Sequence, residues 1–181
     1  MAITKIQSES LNLSDTYDFT GTVTGAGGIT EADQWRLNAD FSVSADVSTL
    51  INSNWEKVDT ANYGTIGSGM TESSGIFTFP STGYYLIMFN GFFDETSTTI
   101  YAGIRLRITT DNSSYNVVEN CYTNIPNTNS HANNQIMYIA DISNVSTHKV
   151  RFDIHAGANV RLAGSTSTNN TAVKFIKLAD T

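Results

Sequence analysis

The sequence has one cysteine, two prolines and few charged residues. These shortages exclude or disfavour several classes of protein. With Cys121 alone, the chain cannot form an internal disulfide, which excludes the small secreted domains that depend on disulfides. Charged residues make up 15% of the chain, whereas about a quarter is usual. Ser, Thr and Asn take their place, and they suit turns and polar strand faces better than helix interiors.

Long apolar segments and basic clusters are also lacking. The first 20 residues contain charged residues and no apolar core of the kind that a signal peptide needs, and no apolar run could span a bilayer. Lys and Arg do not cluster in the sequence, and the formal net charge is −7. This balance disfavours binding to nucleic acids or anionic membranes. We therefore expect a soluble protein that is made in a cytosol.

Motifs that carry chemistry are missing as well. There is no Gly-x-Ser-x-Gly elbow and no phosphate-binding loop that ends in Gly-Lys-Ser/Thr. Asp153 and His155 share a predicted strand face and could chelate a metal, but Lys149 and Arg151 lie on that face and oppose a cation. Cys121 lies in an apolar strand, which is typical of an inert buried thiol. We expect no catalytic residue, metal or cofactor, and hence no enzyme.

Short apolar segments that alternate with polar residues dominate the rest of the chain. Residues 99–109 and 149–155 alternate cleanly, and no segment has a helical period. Turn residues recur about every ~8–12 positions, which is the spacing of a β-sandwich or barrel. The sequence predicts eight to ten strands, with polar loops at 123–134 and 164–171. A sugar-binding module with its recognition residues in these two loops is an alternative function.

The stretch 73–93 is the most informative part of the chain. Pro80 and Gly83 predict a turn between two apolar runs. The second run, 83–93, is apolar on both strand faces, and so is 135–142. In a strand with one face in solvent, apolar and polar residues would alternate. Both faces of these runs are therefore expected to be buried, and another copy of the chain is the expected partner for the outer face. The predicted interface residues are Tyr84, Leu86, Met88, Phe92, Met137 and Ile139.

Residues 1–28 differ from the remainder in having sparse apolar residues and a Gly-rich end at 25–28. Their period-2 spacing favours short extended pieces over a helix. We expect either a loose terminus or an arm that becomes ordered on a partner, followed by a head domain at 29–181. The predicted anchoring residues are Ile3, Ile6, Leu11, Leu13, Tyr17, Phe19 and Val23.

The pattern Phe77-x-Phe79-Pro80-x-x-Gly83-x-Tyr85, followed by a long apolar strand, resembles the jelly rolls of the complement globular heads and the tumour necrosis factor superfamily. A final strand at 173–176, close to the C-terminus, is also similar. The resemblance covers residues 33–181 and implies an all-β antiparallel jelly-roll sandwich that forms compact trimers. Family members sometimes bind calcium at the trimer apex. Asp94, Glu95 and Asp111 are loop candidates, although no spacing distinguishes them.

The arm resembles short extended segments of tail-fibre and head-surface proteins of tailed bacteriophages, on the residues 11–13 and 17–25. Together with a trimeric jelly-roll head, this resemblance implies a protein of the virion surface. The expected function is a non-enzymatic homotrimer that decorates a capsid or forms a head fibre and is anchored by its arm. The alternative is a tail-fibre module that binds a host-surface glycan. Because the chain lacks a collagen-like stalk and a cysteine pair, no signalling role is expected.

Overall fold

The computed structural model describes residues 28–94 and 97–181, which form two antiparallel β-sheets. The described part of the chain contains thirteen strands and no helix, so no helix there could cross a membrane. The strands are β1 (Ala32–Leu37), β2 (Phe41–Val43), β3 (Thr49–Leu50), β4 (Trp55–Lys57), β5 (Thr71–Ser73), β6 (Ile76–Thr78), β7 (Gly83–Phe93), β8 (Thr99–Thr109), β9 (Asn116–Ile125), β10 (Ala132–Ile142), β11 (Lys149–Ala156), β12 (Val160–Leu162) and β13 (Ala172–Ala179).

The strand order places distant segments of the chain side by side. In the first sheet, called sheet A here, β7 pairs with β10 on one side and with β13 on the other, and β1 and β4 follow β13. The short strands β12 and β2 complete sheet A beyond the end of β7. The second sheet, sheet B, has the order β5-β6-β11-β8-β9, with β3 also paired to β11. The expected all-β antiparallel sandwich is confirmed.

The turn before β7 is made possible by Gly83. Its φ is +145°, a conformation that side chains disfavour. A side chain at this position would also collide with the side chain of Lys177 and the carbonyl of Ala179 on β13. The Pro80 turn therefore ends in a glycine that lets β7 begin directly beside β13.

Aromatic rings from both sheets meet in the core. Phe152 of sheet B has its ring centroid 4.5 Å from that of Phe89 and 5.9 Å from that of Trp55, both in sheet A. Phe77 packs edge-on against Trp55 at 5.2 Å and lies 5.3 Å from Phe175 of β13. Aromatic pairs at these separations contribute about 0.5–1.5 kcal/mol beyond the area that they bury. The cluster holds the two sheets together.

Three expectations about local structure are wrong. The structure has more strands than the predicted eight to ten, because several pairings involve only two or three residues. Apolar residues alternate at Phe41, Val43, Ala45 and Val47 and predict a strand over 41–47, but β2 ends at Val43 because the chain turns at Asp46, where φ is +55°. The predicted loop 123–134 is shorter: β9 continues to Ile125 and β10 begins at Ala132. Asn134 is buried there and donates its side-chain amide to the carbonyls of Ala102 and Cys121.

The β8–β9 hairpin is held by the carboxylate of Asp111. Its Oδ1 accepts hydrogen bonds from the backbone N–H groups of Ser113 and Ser114, at 2.9 and 2.7 Å, and from the hydroxyl of Thr109 at 2.8 Å. These bonds, led by the one from Ser114, lower the pKa of Asp111 well below its ordinary value. The charged carboxylate therefore stabilises this turn.

Substituting Asp111→Asn is expected to lower stability in a pH-dependent way. Because folding lowers the pKa, the stabilisation is fully present above the unfolded-state pKa of about 4 and is lost as the pH falls below it. The free energy of unfolding of the two proteins, measured by urea denaturation, should differ at pH 7 and converge as the medium is acidified. A difference that is the same at neutral pH and at about pH 2.5, well below the unfolded-state pKa, would contradict this role.

Candidate assembly face

The outward face of sheet A carries the predicted interface residues. Along β7, Tyr85, Ile87 and Phe89 are fully buried in the core, whereas the residues between them point away from it. Tyr84 is 41% exposed, and on β10 Met137 and Ile139 are 60% and 58% exposed. The structure therefore brings these six residues together on one face, which we call the assembly face: Tyr84, Leu86, Met88, Phe92, Met137 and Ile139.

Strand register arranges the assembly face in rows. Leu86 lies between Ile139 of β10 and Ile176 of β13, and Ile176 in turn lies beside Ala32 of β1. Cross-strand neighbours on one face are about 4.5–5.5 Å apart, so this row is continuously apolar across four strands. The bridge between Ala32 and Ile66 extends it further, and Ile66 is itself exposed.

Sequence reasoning missed three apolar residues outside the six of the assembly face: Ile66, which extends the row, and Ile176 and Leu178 of the final strand. The last two could have been found from the final strand, in which Val173 and Phe175 are buried and the alternate positions include Ile176 and the exposed Leu178. The outward face of β13 is only partly apolar, because Lys174 lies on it beside Met88 of β7. Ile66 lies in a loop rich in glycine, and no periodic signal marks it.

Charged side chains lie next to the assembly face, at the edge of sheet A that β1 and β4 form. Arg36 of β1 is fully buried and pairs with Glu56 at 2.6 Å and Asp59 at 2.8 Å. Its guanidinium also donates to the carbonyl of Thr166, in the loop that follows β12. A buried arginine requires such partners, because leaving a charge unpaired in the interior is costly. The loop 164–171, a predicted recognition loop, therefore covers Arg36.

The other residues that the sequence suggested for chemistry have structural partners. Asp153 accepts bonds from Arg105 and Arg107, the latter at 2.9 Å, and His155 packs against Tyr101. Both side chains thus make contacts within the protein, and no three His, Cys, Asp or Glu side chains converge within the described residues.

Two of the loop residues suggested for calcium, Asp94 and Asp111, also have partners within the protein. Asp94 lies 3.3 Å from a guanidinium nitrogen of Arg161 and 3.7 Å from His131, and Asp111 holds its own hairpin. Glu95 lies outside the described residues, as do the predicted arm positions Ile3, Ile6, Leu11, Leu13, Tyr17, Phe19 and Val23.

Comparison with known proteins gives matches of structure. No family model matches the chain, and no curated protein matches it in sequence. Eiger TNF from S. frugiperda is similar, with a TM-score of 0.64 and 15% identity over 85% of this chain and 96% of that one. Murine APRIL matches with a TM-score of 0.60 and 16% identity, over 82% of this chain and 98% of that one.

A vertex protein is also similar in structure. The PRD1 vertex protein P5 matches with a TM-score of 0.55 and 18% identity, over 84% of this chain and 99% of that one. At these identities the likeness concerns the fold. Residues 28–94 and 97–181 thus have the jelly-roll fold of TNF-like domains, which is also found in a vertex protein.

Proposed function

We propose that this protein is a non-enzymatic structural protein of a virion, which assembles as a homotrimer through the assembly face. The observation that carries the proposal is the continuous apolar row Ile139–Leu86–Ile176 on the outside of sheet A. Ile139 is 58% exposed and Leu86 and Ile176 are partly buried, on a sheet whose other face already packs in the core. Soluble proteins seldom leave such a patch uncovered.

A second copy of the chain is a suitable cover for physical reasons. Each ~100 Å² of apolar surface that the contact removes from water contributes about 2.5 kcal/mol. A closed assembly with rotational symmetry covers the face on every subunit and leaves no open patch for further growth. The trimer is the state that the resemblance to tumour necrosis factor jelly rolls implies.

The virion location is supported by two observations of different kinds. The PRD1 vertex protein P5 has the same fold. Residues 1–28 differ in composition from the head and resemble segments of phage surface proteins. We propose that they form the anchoring arm, which attaches the trimer to a capsid or tail, and that the head stands at the virion surface.

The loop-based alternative, a tail-fibre module that binds sugars through 123–134 and 164–171, has less support. The first segment is reduced to the connection 126–131, and the second is attached to the buried Arg36 through Thr166. Decoration of a particle therefore remains the preferred role.

The trimer and the arm can be tested separately. Light scattering on the purified full chain is expected to give about 59 kDa, three times the subunit mass of 19.7 kDa. A chain without residues 1–28 should give a trimer of correspondingly smaller mass but should fail to bind particles that lack the protein. A monomer at micromolar concentration contradicts the trimer, and normal occupancy by the truncated chain contradicts the anchoring role of the arm.

A further inference from the structure

The outward face of sheet B, on the opposite side of the sandwich, concentrates positive charge. Lys149 and Arg151 of β11 and Arg105 and Arg107 of β8 project from it, on alternate positions of their strands. These are four of the ten Lys and Arg residues in a chain with a net charge of −7. Because they come from two distant segments, the cluster is invisible in the sequence.

The register of these strands places like charges beside each other. Arg107 lies directly opposite Arg151, and Arg105 lies opposite Asp153. Like charges that face each other across a strand pair are destabilising. Asp153 is the one carboxylate in these rows, and it is shared by Arg105 and Arg107. Its single negative charge leaves the rows with an excess of positive charge.

Arg151 and Lys149 each contribute a charge to this excess that no carboxylate of the described residues neutralises. The guanidinium carbon of Arg151 lies 4.1 Å from the ring centroid of Tyr115, and within the described residues Arg151 forms no ion pair and its Nε has no hydrogen-bond partner. Burial raises the pKa of Tyr115, so the phenol stays neutral and does not neutralise the arginine. Lys149 likewise contacts only neutral oxygens, those of Thr78 and Val145.

Aromatic rings continue the same face beyond the arginines. Tyr122 is 43% exposed and lies over Gly103, where any side chain would collide with its ring. Tyr101 and His155 pack around it, with ring centroids 6.2 and 6.5 Å from that of Tyr122. Exposed tyrosine rings offer an apolar surface with a polar tip, which suits the face of a sugar ring.

We propose that this charged and aromatic surface of sheet B, centred on Arg151 and Tyr122, binds an acidic oligosaccharide. Successive rows on a strand face are about 7 Å apart, so Tyr122, Arg105 and Arg151 lie in three consecutive rows. A saccharide with two or more units can stack on Tyr122 while its carboxylate or sulfate groups reach the arginines. Guanidinium groups bind such oxyanions with paired hydrogen bonds.

This surface is distinct from the assembly face and from the recognition loops of the alternative function. The two outward faces belong to opposite sheets, so a contact that covers sheet A does not cover the rows of sheet B. A saccharide can therefore bind whether or not the protein is a trimer. An experiment can contradict the saccharide proposal without contradicting the trimer, and the reverse.

Isothermal titration of the full chain at low salt tests the proposal. The probes are a hyaluronan hexasaccharide, which carries carboxylates, a heparin hexasaccharide, which also carries sulfates, neutral maltohexaose, and inorganic phosphate. We expect at least one acidic hexasaccharide to bind, more weakly as salt is added, and to bind more tightly than maltohexaose and phosphate. Substituting Arg151→Gln should weaken it about tenfold, and Tyr122→Ala should also weaken it.

The matched control is Lys5→Gln, which removes the same charge outside the described residues and should leave the affinity unchanged. The proposal is overturned if neither acidic hexasaccharide binds, if maltohexaose or phosphate binds equally well, or if Arg151→Gln and wild type bind with the same affinity. Because Arg151 forms no ion pair in the described residues, the variant is expected to fold, and a thermal melt checks this directly.

Discussion

Substituting both Met137→Glu and Ile139→Glu is expected to convert the trimer into monomers. The two side chains are 60% and 58% exposed in the single chain, so the glutamates remain hydrated in the monomer and its fold is kept. In the trimer they would be enclosed by apolar residues such as Leu86 and Ile176 of sheet A. Enclosing an unpaired carboxylate costs several kcal/mol, which is enough to shift a micromolar equilibrium to dissociation. Light scattering should report one subunit mass.

The control for this variant is a double substitution of exposed apolar residues elsewhere. Ile100 is 88% exposed and Val47 is 52% exposed, and neither lies on the assembly face. Ile100→Glu with Val47→Glu adds the same charge and should leave the trimer intact. If both double variants dissociate, net charge and not the assembly face is responsible; if neither does, the interface lies on another surface.

Substituting Phe152→Ala is expected to cost about 3–5 kcal/mol of unfolding free energy, the largest effect of any single change that we propose. Phe152 is fully buried, and its ring contacts Trp55, Phe77, Phe89 and Phe175. Its removal leaves a cavity where the two sheets meet, and β-strands that pair on both sides cannot move to close it. A chain with the usual stability of about 5–15 kcal/mol would lose a large part of it.

Guanidinium denaturation measures this effect, at one protein concentration because trimer dissociation is coupled to unfolding. Phe152→Leu is the companion variant, since it keeps most of the volume and should cost less than the alanine variant. A loss below about 1 kcal/mol for Phe152→Ala, which is the ordinary effect of a point substitution, would show that the aromatic cluster does not hold the sheets together.

Strands whose signal is local were predicted well from the sequence. The runs 83–93 and 99–109 match β7 and β8 at both ends, because apolar alternation and the flanking turn residues define them without help from distant contacts. The polar segment 123–134 was assigned wrongly for the opposite reason. Its asparagines suggested a loop, but Asn134 is enclosed between β8 and β9 and bonds their carbonyls, so tertiary hydrogen bonding overrides local propensity.

The sequence by itself determined that β7 and β10 each present apolar residues on both faces. Period-2 alternation is a property of a single strand, so Leu86, Met88 and Met137 could be assigned to a second face before any fold was known. The expectation of a covered outer face rests on this pattern alone.

Only the tertiary structure decided which residues stand next to each other on the two outward faces. Ile176 lies beside Leu86, and Arg107 lies opposite Arg151, because strands far apart in the chain pair in one particular register. That register follows from long-range packing of the two sheets and leaves no trace in local periodicity. The apolar row on sheet A and the positive rows on sheet B are therefore properties of the fold.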